Sequence, residues 1–223
     1  MWCIKAGQDA AFVCQMEAVL SAYKRPFDPK RPLVCMDETT KQCVKDVRKP
    51  TPATSSHPAR YDGEYERNGV GHLLLFYAPL QNWRHVHVGD THDGIAWANG
   101  VRHLLEEVYP DAERVTLVMD NLSTHSGASL YKAFAPAHAK RLLDRLEFVF
   151  TPKHGSWLNM AECEFSVLAR QCLDRRIAEL AMLEREVRAW MKMRNANTEP
   201  VRWRFTTEDS RIKLAHLYPT IST

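Results

Sequence analysis

Apolar positions recur along this chain in two rhythms, one helical and one extended. Residues 9–24 (DAAFVCQMEAVLSAYK) place apolar side chains at 12, 13, 16, 19, 20 and 23. A three-to-four-residue repeat predicts a helix. Pro26, Pro29 and Pro32 then break the chain. Residues 33–37 (LVCMD) form a short apolar run that closes on an acid, which predicts a buried strand. Residues 41–48 follow as its expected hairpin partner. The stretch 49–63 (KPTPATSSHPARYDG) is rich in Pro, Ser and Thr and predicts a loop. Two more antiparallel strands are predicted at 70–77 and 83–88. Thr91 is the expected N-cap of a helix reaching about Val108.

Residues 115–120 (VTLVMD) repeat the first pattern, an apolar run ending in an acid. One or two helices are predicted over 126–145, interrupted at Pro136, and a fifth strand over 146–151. Helices follow at about 159–174 and 177–195, and Thr206 or Thr207 caps a last short one. No internal repeat is present. Three strands in a meander, then strands alternating with helices, imply an α/β fold: a mixed five-stranded sheet flanked by helices. This is the element order of a ribonuclease-H-like domain. The expected division is an N-terminal helix and linker at 1–30, a catalytic domain at 31–200, and a tail with a short helix at 201–223.

Bulk properties narrow the function classes. The 223 residues are 45% hydrophobic and 26% charged, ordinary for a globular protein. No run of eighteen apolar residues exists and residues 1–7 carry no secretion signal, so the expected location is the cytoplasm, away from any membrane. The six cysteines form no Cys-x-x-Cys pair, which removes the main support for a zinc site. Cys35 and Cys163 sit in apolar runs and are expected to be buried. Net charge is only +3, but residues 170–213 hold eleven Lys/Arg against seven Asp/Glu. A basic C-terminal third beside a carboxylate-bearing core suits a surface for nucleic-acid backbone; a solvated helical face is the plainer alternative.

The acids carry the chemistry. Asp37 and Asp120 each end a buried strand, where open α/β sheets place their ligands. Hard divalent ions take oxygen ligands. Two of them, about 3.5–4 Å apart, can clamp the attacking and leaving oxygens of a phosphoryl displacement. Such a pair needs a third carboxylate. The segment TPKHGSWLNMAECEF offers Glu162 and Glu164 in the first turns of a helix whose apolar stripe is Leu158, Ala161, Phe165, Leu168 and Cys172. The two acids fall about 80° to either side of that stripe, so periodicity leaves both open.

At this point the chain resembles a known family. CMDETTKQ, LVMDNLSTH and TPKHGSWLNMAECEFSVLARQCLDRRI, with YDGEYERNG, WRHVHV and the terminal WRFTTEDSRIKLAHLYP, are similar to the DDE transposases of the bacterial insertion sequence 630 family, relatives of the mariner-type enzymes. The likeness runs through almost the whole chain. In that family the third acid stands three residues after an asparagine; Asn159 precedes Glu162 in this way, so the resemblance favours Glu162, with Glu164 as the fallback. It implies metal-dependent DNA cleavage and strand transfer by Asp37, Asp120 and Glu162, with Mg²⁺, or Mn²⁺ in its place, as two ions. It also implies transposon ends and target DNA as partners, a homodimer on that DNA, and location at the nucleoid when bound.

Supporting roles fall to neighbouring residues. Asn121 and His125 follow the second acid and are placed either to hydrogen-bond the carboxylates and orient DNA or to serve as turn and cap residues. Lys153 and His154 precede Glu162 and are candidates for DNA contact; Asn159 is expected to cap or position, and Trp157 to pack. Arg170, Arg175, Arg176, Arg188 and Arg194 are the phosphate candidates of the basic third. Glu38 is expected to point away from the metal side. His85 and His87 share a strand face but lack a third ligand. Only about thirty residues precede the first strand, too few for the helix-turn-helix modules of full-length relatives. The alternative reading is therefore a catalytically silent remnant that binds DNA or dimerises with the intact enzyme.

Overall fold

A computed structural model describes residues 7–48, 51–60, 63–122, 124–196, 199–201 and 203–220. Cys3 and part of the 49–63 loop lie outside them. Five strands form one mixed sheet: β1 (Leu33–Asp46), β2 (Tyr65–Ala78), β3 (Trp83–Gly89), β4 (Val115–Met119) and β5 (Leu146–Phe150), in the order β3-β2-β1-β4-β5. β1 pairs antiparallel with β2 and parallel with β4; β2–β3 is antiparallel and β4–β5 parallel. The central strand β1 thus joins the meander to the crossover half.

Strand alternation sorts the side chains into two cores. Leu33 and Cys35 of β1 face one side, with Leu73, Leu75 and Val118. That side is covered by α1 (Ala10–Tyr23), α5 (Met160–Leu168) and α6 (Leu180–Asn195). Val34 and Met36 face the other side, with Phe76, Leu117 and Met119, beneath α2 (Gly94–His103), α3 (Gly127–Ala133) and α4 (Pro136–Asp144). Gly100 brings α2 close to the sheet: a Cβ there would lie 2.7 Å from the Phe76 ring. The last helix, α7 (Thr207–Lys213), returns to α1. There Arg211 Nε meets Glu17 Oε1 at 2.9 Å, and the Asp9 amide donates to the Leu217 carbonyl at 2.9 Å.

Four expectations are corrected. Residues 41–46 are not a hairpin partner of 33–37 but the same strand continued, paired with β2 from Lys41↔Gly71 to Asp46↔Tyr65. Their polar side chains obscure this, because the ribbon leaves the core and the early part of β2 is exposed. The cap of α2 is Asp93, not Thr91; its Oδ1 accepts from the Ile95 and Ala96 amides at 3.0 and 2.9 Å. A carboxylate here also meets the positive end of the helix dipole. The helix then runs on as a π-helical turn to Val108. Cys35 is buried but Cys163 is exposed. The helix predicted over 177–195 begins at Leu180 rather than 177, because the Ile177 carbonyl accepts from the Val44 amide at 2.7 Å.

Thr206 caps α7 through a reciprocal pair with Asp209. Among the described residues no helix is long and apolar enough to cross a membrane.

Candidate active site

Asp37 follows the buried run of β1 and has the parity of Leu33 and Cys35, which turns it toward α5. Its Oδ1 accepts from the Glu38 amide at 2.8 Å. Asp120 lies one residue past β4, the parallel neighbour of β1, so the two acids leave adjacent strands at the same end. Glu162 is in the first turn of α5, which begins just beyond β5.

The start of α5 is held by three devices. Gly155 closes a tight turn, its amide donating to the Pro152 carbonyl at 2.8 Å, and a Cβ there would lie 2.5 Å from the Pro152 ring. Asn159, 2% exposed, caps the helix by accepting from the Ala161 amide at 3.1 Å. Its Nδ2 donates to the Met36 carbonyl at 2.9 Å and to Asp37 Oδ2 at 3.3 Å, tying the helix cap to the strand that bears the first acid. Tyr23 of α1 donates to the Leu158 carbonyl at 2.6 Å and accepts from the Met160 amide at 3.3 Å.

Asp37 registers the crowding of acids directly. Burial, and then the nearby Glu162 and Asp120 carboxylates, push it up to about 7 from an ordinary value near 3.8. The main influence opposing the rise is the Glu38 amide rather than a cationic side chain. The three acids share one electrostatic neighbourhood. Even so, among the described residues no group of three or more His, Cys, Asp or Glu side chains is drawn together closely enough to hold a metal ion.

This shift makes stability depend on pH. Between about pH 4 and pH 7 the folded protein retains a proton on Asp37 that the unfolded chain has lost. The native state binds more protons there, so stability falls as pH rises through that window. In cation-free buffer the wild-type melting temperature is expected to decline from pH 4 to 7 relative to that of Asp37→Asn. Parallel thermal unfolding curves check this, and profiles that stay parallel throughout refute it.

Glu162 and Glu164 part company in space. Glu162 is exposed, while Glu164 is buried. Glu164 Oε1 lies 2.8 Å from Arg84 Nε, in a contact with ion-pair spacing but without hydrogen-bond alignment, and 3.3 Å from Arg194 Nη2. Arg84 is also held by Asn82 and by Asn195 Oδ1 at 3.0 Å, and its guanidinium lies over the Tyr77 ring.

The remaining sequence candidates are scattered. Asn121 is exposed just past Asp120, and His125 is buried with Nδ1 3.3 Å from Asp120 Oδ1. Lys153 and His154 are exposed in the turn before α5, His154 at φ 66°. Trp157 packs edge-on against Phe205. Arg170 lines a groove with Thr39, Lys41, Phe165 and Leu173. Other arginines already serve the fold: Arg175 pairs with Glu186, Arg188 with Glu184, and Arg176 with Asp46 at 2.5 Å while lying over the Tyr65 ring. His85 lies against the His103 ring at 4.4 Å with 40° between planes, and burial draws its pKa down to about 4.

Sequence reasoning missed Arg84 and Tyr23. Arg84 did leave a signal, since it shares the inward parity of Val86 on a strand, where a charged residue must be paired.

A family model described as DDE superfamily endonuclease matches residues 32–184. Among solved structures, the chain is similar to the Mos1 mariner paired end complex with Mn, at 16% identity and TM-score 0.59, covering 94% of this chain and 63% of that one. It is similar to a pre-cleavage Mos1 transpososome at 17% identity and TM-score 0.57, covering 99% and 68%. For the mariner Mos1 paired end complex with Mg the values are 18% and 0.59, covering 99% and 66%. The likeness establishes the shared ribonuclease-H-like fold, a mixed five-stranded sheet flanked by helices. The chain spans less than two thirds of the length of the first of these proteins. No curated protein sequence matches it.

Proposed function

Because the chain belongs to the DDE superfamily endonucleases, we propose that it is the catalytic core of a DNA transposase of the bacterial insertion sequence 630 type. In this reading it cleaves a phosphodiester at a transposon end and joins the freed 3′-hydroxyl to target DNA, with Asp37, Asp120 and Glu162 as the acting acids. The observation that carries the reading is the placement of the acids: Asp37 on β1 and Asp120 just past the parallel β4 stand at the same end of adjacent strands, and Asn159 ties Asp37 to the start of α5, which bears Glu162, while burial and the other two carboxylates raise Asp37 without a cationic side chain as the main counterweight.

That is the charge environment a divalent cation relieves, and an all-carboxylate donor set suits Mg²⁺ or Mn²⁺ rather than zinc. When bound, a pair of such ions supplies Lewis-acid stabilisation to the attacking and leaving oxygens. Asp37 and Asp120 would hold them from the strand ends, and Glu162 would complete the set from the helix. Asn159 keeps Asp37 and the start of α5 in fixed relation. The buried pairing of Glu164 supports Glu162 as the third acid.

In this reading the catalytic domain comprises 31–200, and α1 and α7, which lie on either side of it in the chain, pack against each other. The partners are transposon ends and target DNA, engaged by a homodimer in the cytoplasm at the nucleoid. Lys153, His154 and Arg170, exposed around α5, are the best-presented of the DNA contacts; Arg175 and Arg176 would first have to leave Glu186 and Asp46.

Metal removal tests the reading. Incubated with Mg²⁺ or Mn²⁺ and nicked or branched DNA, the protein is expected to cut, and a chelator is expected to stop it. Binding without cleavage under both cations would instead favour a silent DNA-binding remnant.

A further inference from the structure

Behind the three acids, on the α2 face of the sheet, lies a buried contact that their roles do not explain. His125 is 1% exposed. Its Nδ1 is 3.3 Å from Asp120 Oδ1, and its Nε2 is 3.3 Å from Glu38 Oε2. Its ring stacks on Trp97 at 6.1 Å with 23° between planes. Glu38 has the parity of Val34 and Met36, so it leaves β1 on the side opposite Asp37. With His72, His125 and Trp97 it lines a small cavity beneath α2. The facing atoms, Glu38 Oε2 and His125 Nε2, are both buried, and among the described residues neither has an aligned hydrogen bond. Burying a carboxylate beside an imidazole costs free energy, so the contact asks for a purpose.

Asp120 supplies one. It stands past the last paired residue of β4, with 43% of its side chain exposed. No strand pairing fixes its carboxylate; the described side chain that meets it is His125. We propose that Glu38 and His125 are a positioning relay: Glu38 braces the imidazole, and the imidazole holds Asp120 in its place beside Asp37. The relay rests on the reading of the acids as a cation site. It uses the geometry of the ring, packed on Trp97 by one face and flanked by a carboxylate at each nitrogen. Outer partners that orient metal-binding side chains change affinity or activity by about 10–100-fold when removed.

The test measures Mn²⁺ binding to the full chain by electron paramagnetic resonance, alongside DNA cleavage. Glu38→Ala and His125→Ala are expected to weaken both by about 10–100-fold. Glu38→Gln keeps an oxygen toward the imidazole and is expected to retain most of both. The double variant Glu38→Ala with His125→Ala is expected to be no weaker than His125→Ala alone, because Glu38 acts only through the ring. His125→Gln and Glu38→Met, which removes the carboxylate but keeps its volume, carry the comparison if an alanine variant does not fold. Losses that multiply in the double variant overturn the relay, as does unchanged Mn²⁺ binding in Glu38→Ala and His125→Ala. Wild-type protein that binds no Mn²⁺ defeats the cation reading itself, a different failure from wild-type protein that binds while the variants match it.

Discussion

Asp37→Asn and Asp120→Asn are each expected to lower DNA cleavage by roughly a thousand-fold or more, with DNA affinity little changed. Removing one group that stabilises charge in a transition state commonly costs about 10²–10³-fold. Groups that act as a unit cost more, because the remaining members cannot work alone. Here each acid comes from a different element, and Glu162 and Asp120 both add to the rise that burial imposes on Asp37. The amide is nearly isosteric but carries no charge for a cation. On the proposed function the contacts to DNA backbone come from other residues, Lys153, His154 and Arg170 among them, and should persist. Neither substitution should unfold the protein; Asp37→Asn removes a charge that burial already disfavours. Gel-based cleavage and filter binding in Mg²⁺, run side by side, decide the matter. Full activity in either variant would end the assignment of that residue.

The second large effect is on stability. Arg84→Ala, or Glu164→Ala, is expected to cost about 3–5 kcal/mol, because Glu164→Ala strips the buried Arg84 of its carboxylate and Arg84→Ala leaves the buried Glu164 with the more exposed Arg194. Arg84 is 0% and Glu164 5% exposed at the side chain, so water offers little compensation. Burial pulls the Arg84 guanidinium down, and the Glu164 carboxylate acts against that pull. Replacing both together, Arg84→Met with Glu164→Leu, should recover part of the loss. The recovery is incomplete because Asn82 and Asn195 also bond to Arg84. Urea unfolding of the three variants tests this; single substitutions that cost less than about 1 kcal/mol would show that the pair is an ordinary surface bridge.

The acid site and the buried pair meet at one helix, α5, through Glu162 and Glu164, and this marks what the sequence could and could not disclose. The buried strands were legible because 33–37 and 115–120 are apolar runs that stop on acids, and the parallel crossover followed from the alternation of strand and helix. The extension of β1 to Asp46 was not, since a polar ribbon outside the core carries no periodic apolar signal. The choice between Glu162 and Glu164 was open to periodicity, which reports only the angle around a helix axis. What separates them is a partner 80 residues back on β3 and another 30 residues on in α6. Likewise Glu38 and His125 meet only because β1 and β4 are parallel neighbours. A one-dimensional pattern shows which residues share a face; it does not show which distant residue that face will meet.

The central strand carries two consecutive acids, Asp37 toward α5 and Glu38 toward α2. A strand has no intermediate setting between its faces: shifting its register by one residue exchanges them. Loss of any one residue between Leu33 and Asp37, with pairing to β4 kept, would present Glu38 where Asp37 now stands and leave His125 without its brace. The four residues ahead of Asp37 are therefore a ruler. Their identities need only be apolar and of fitting size, whereas their number is fixed.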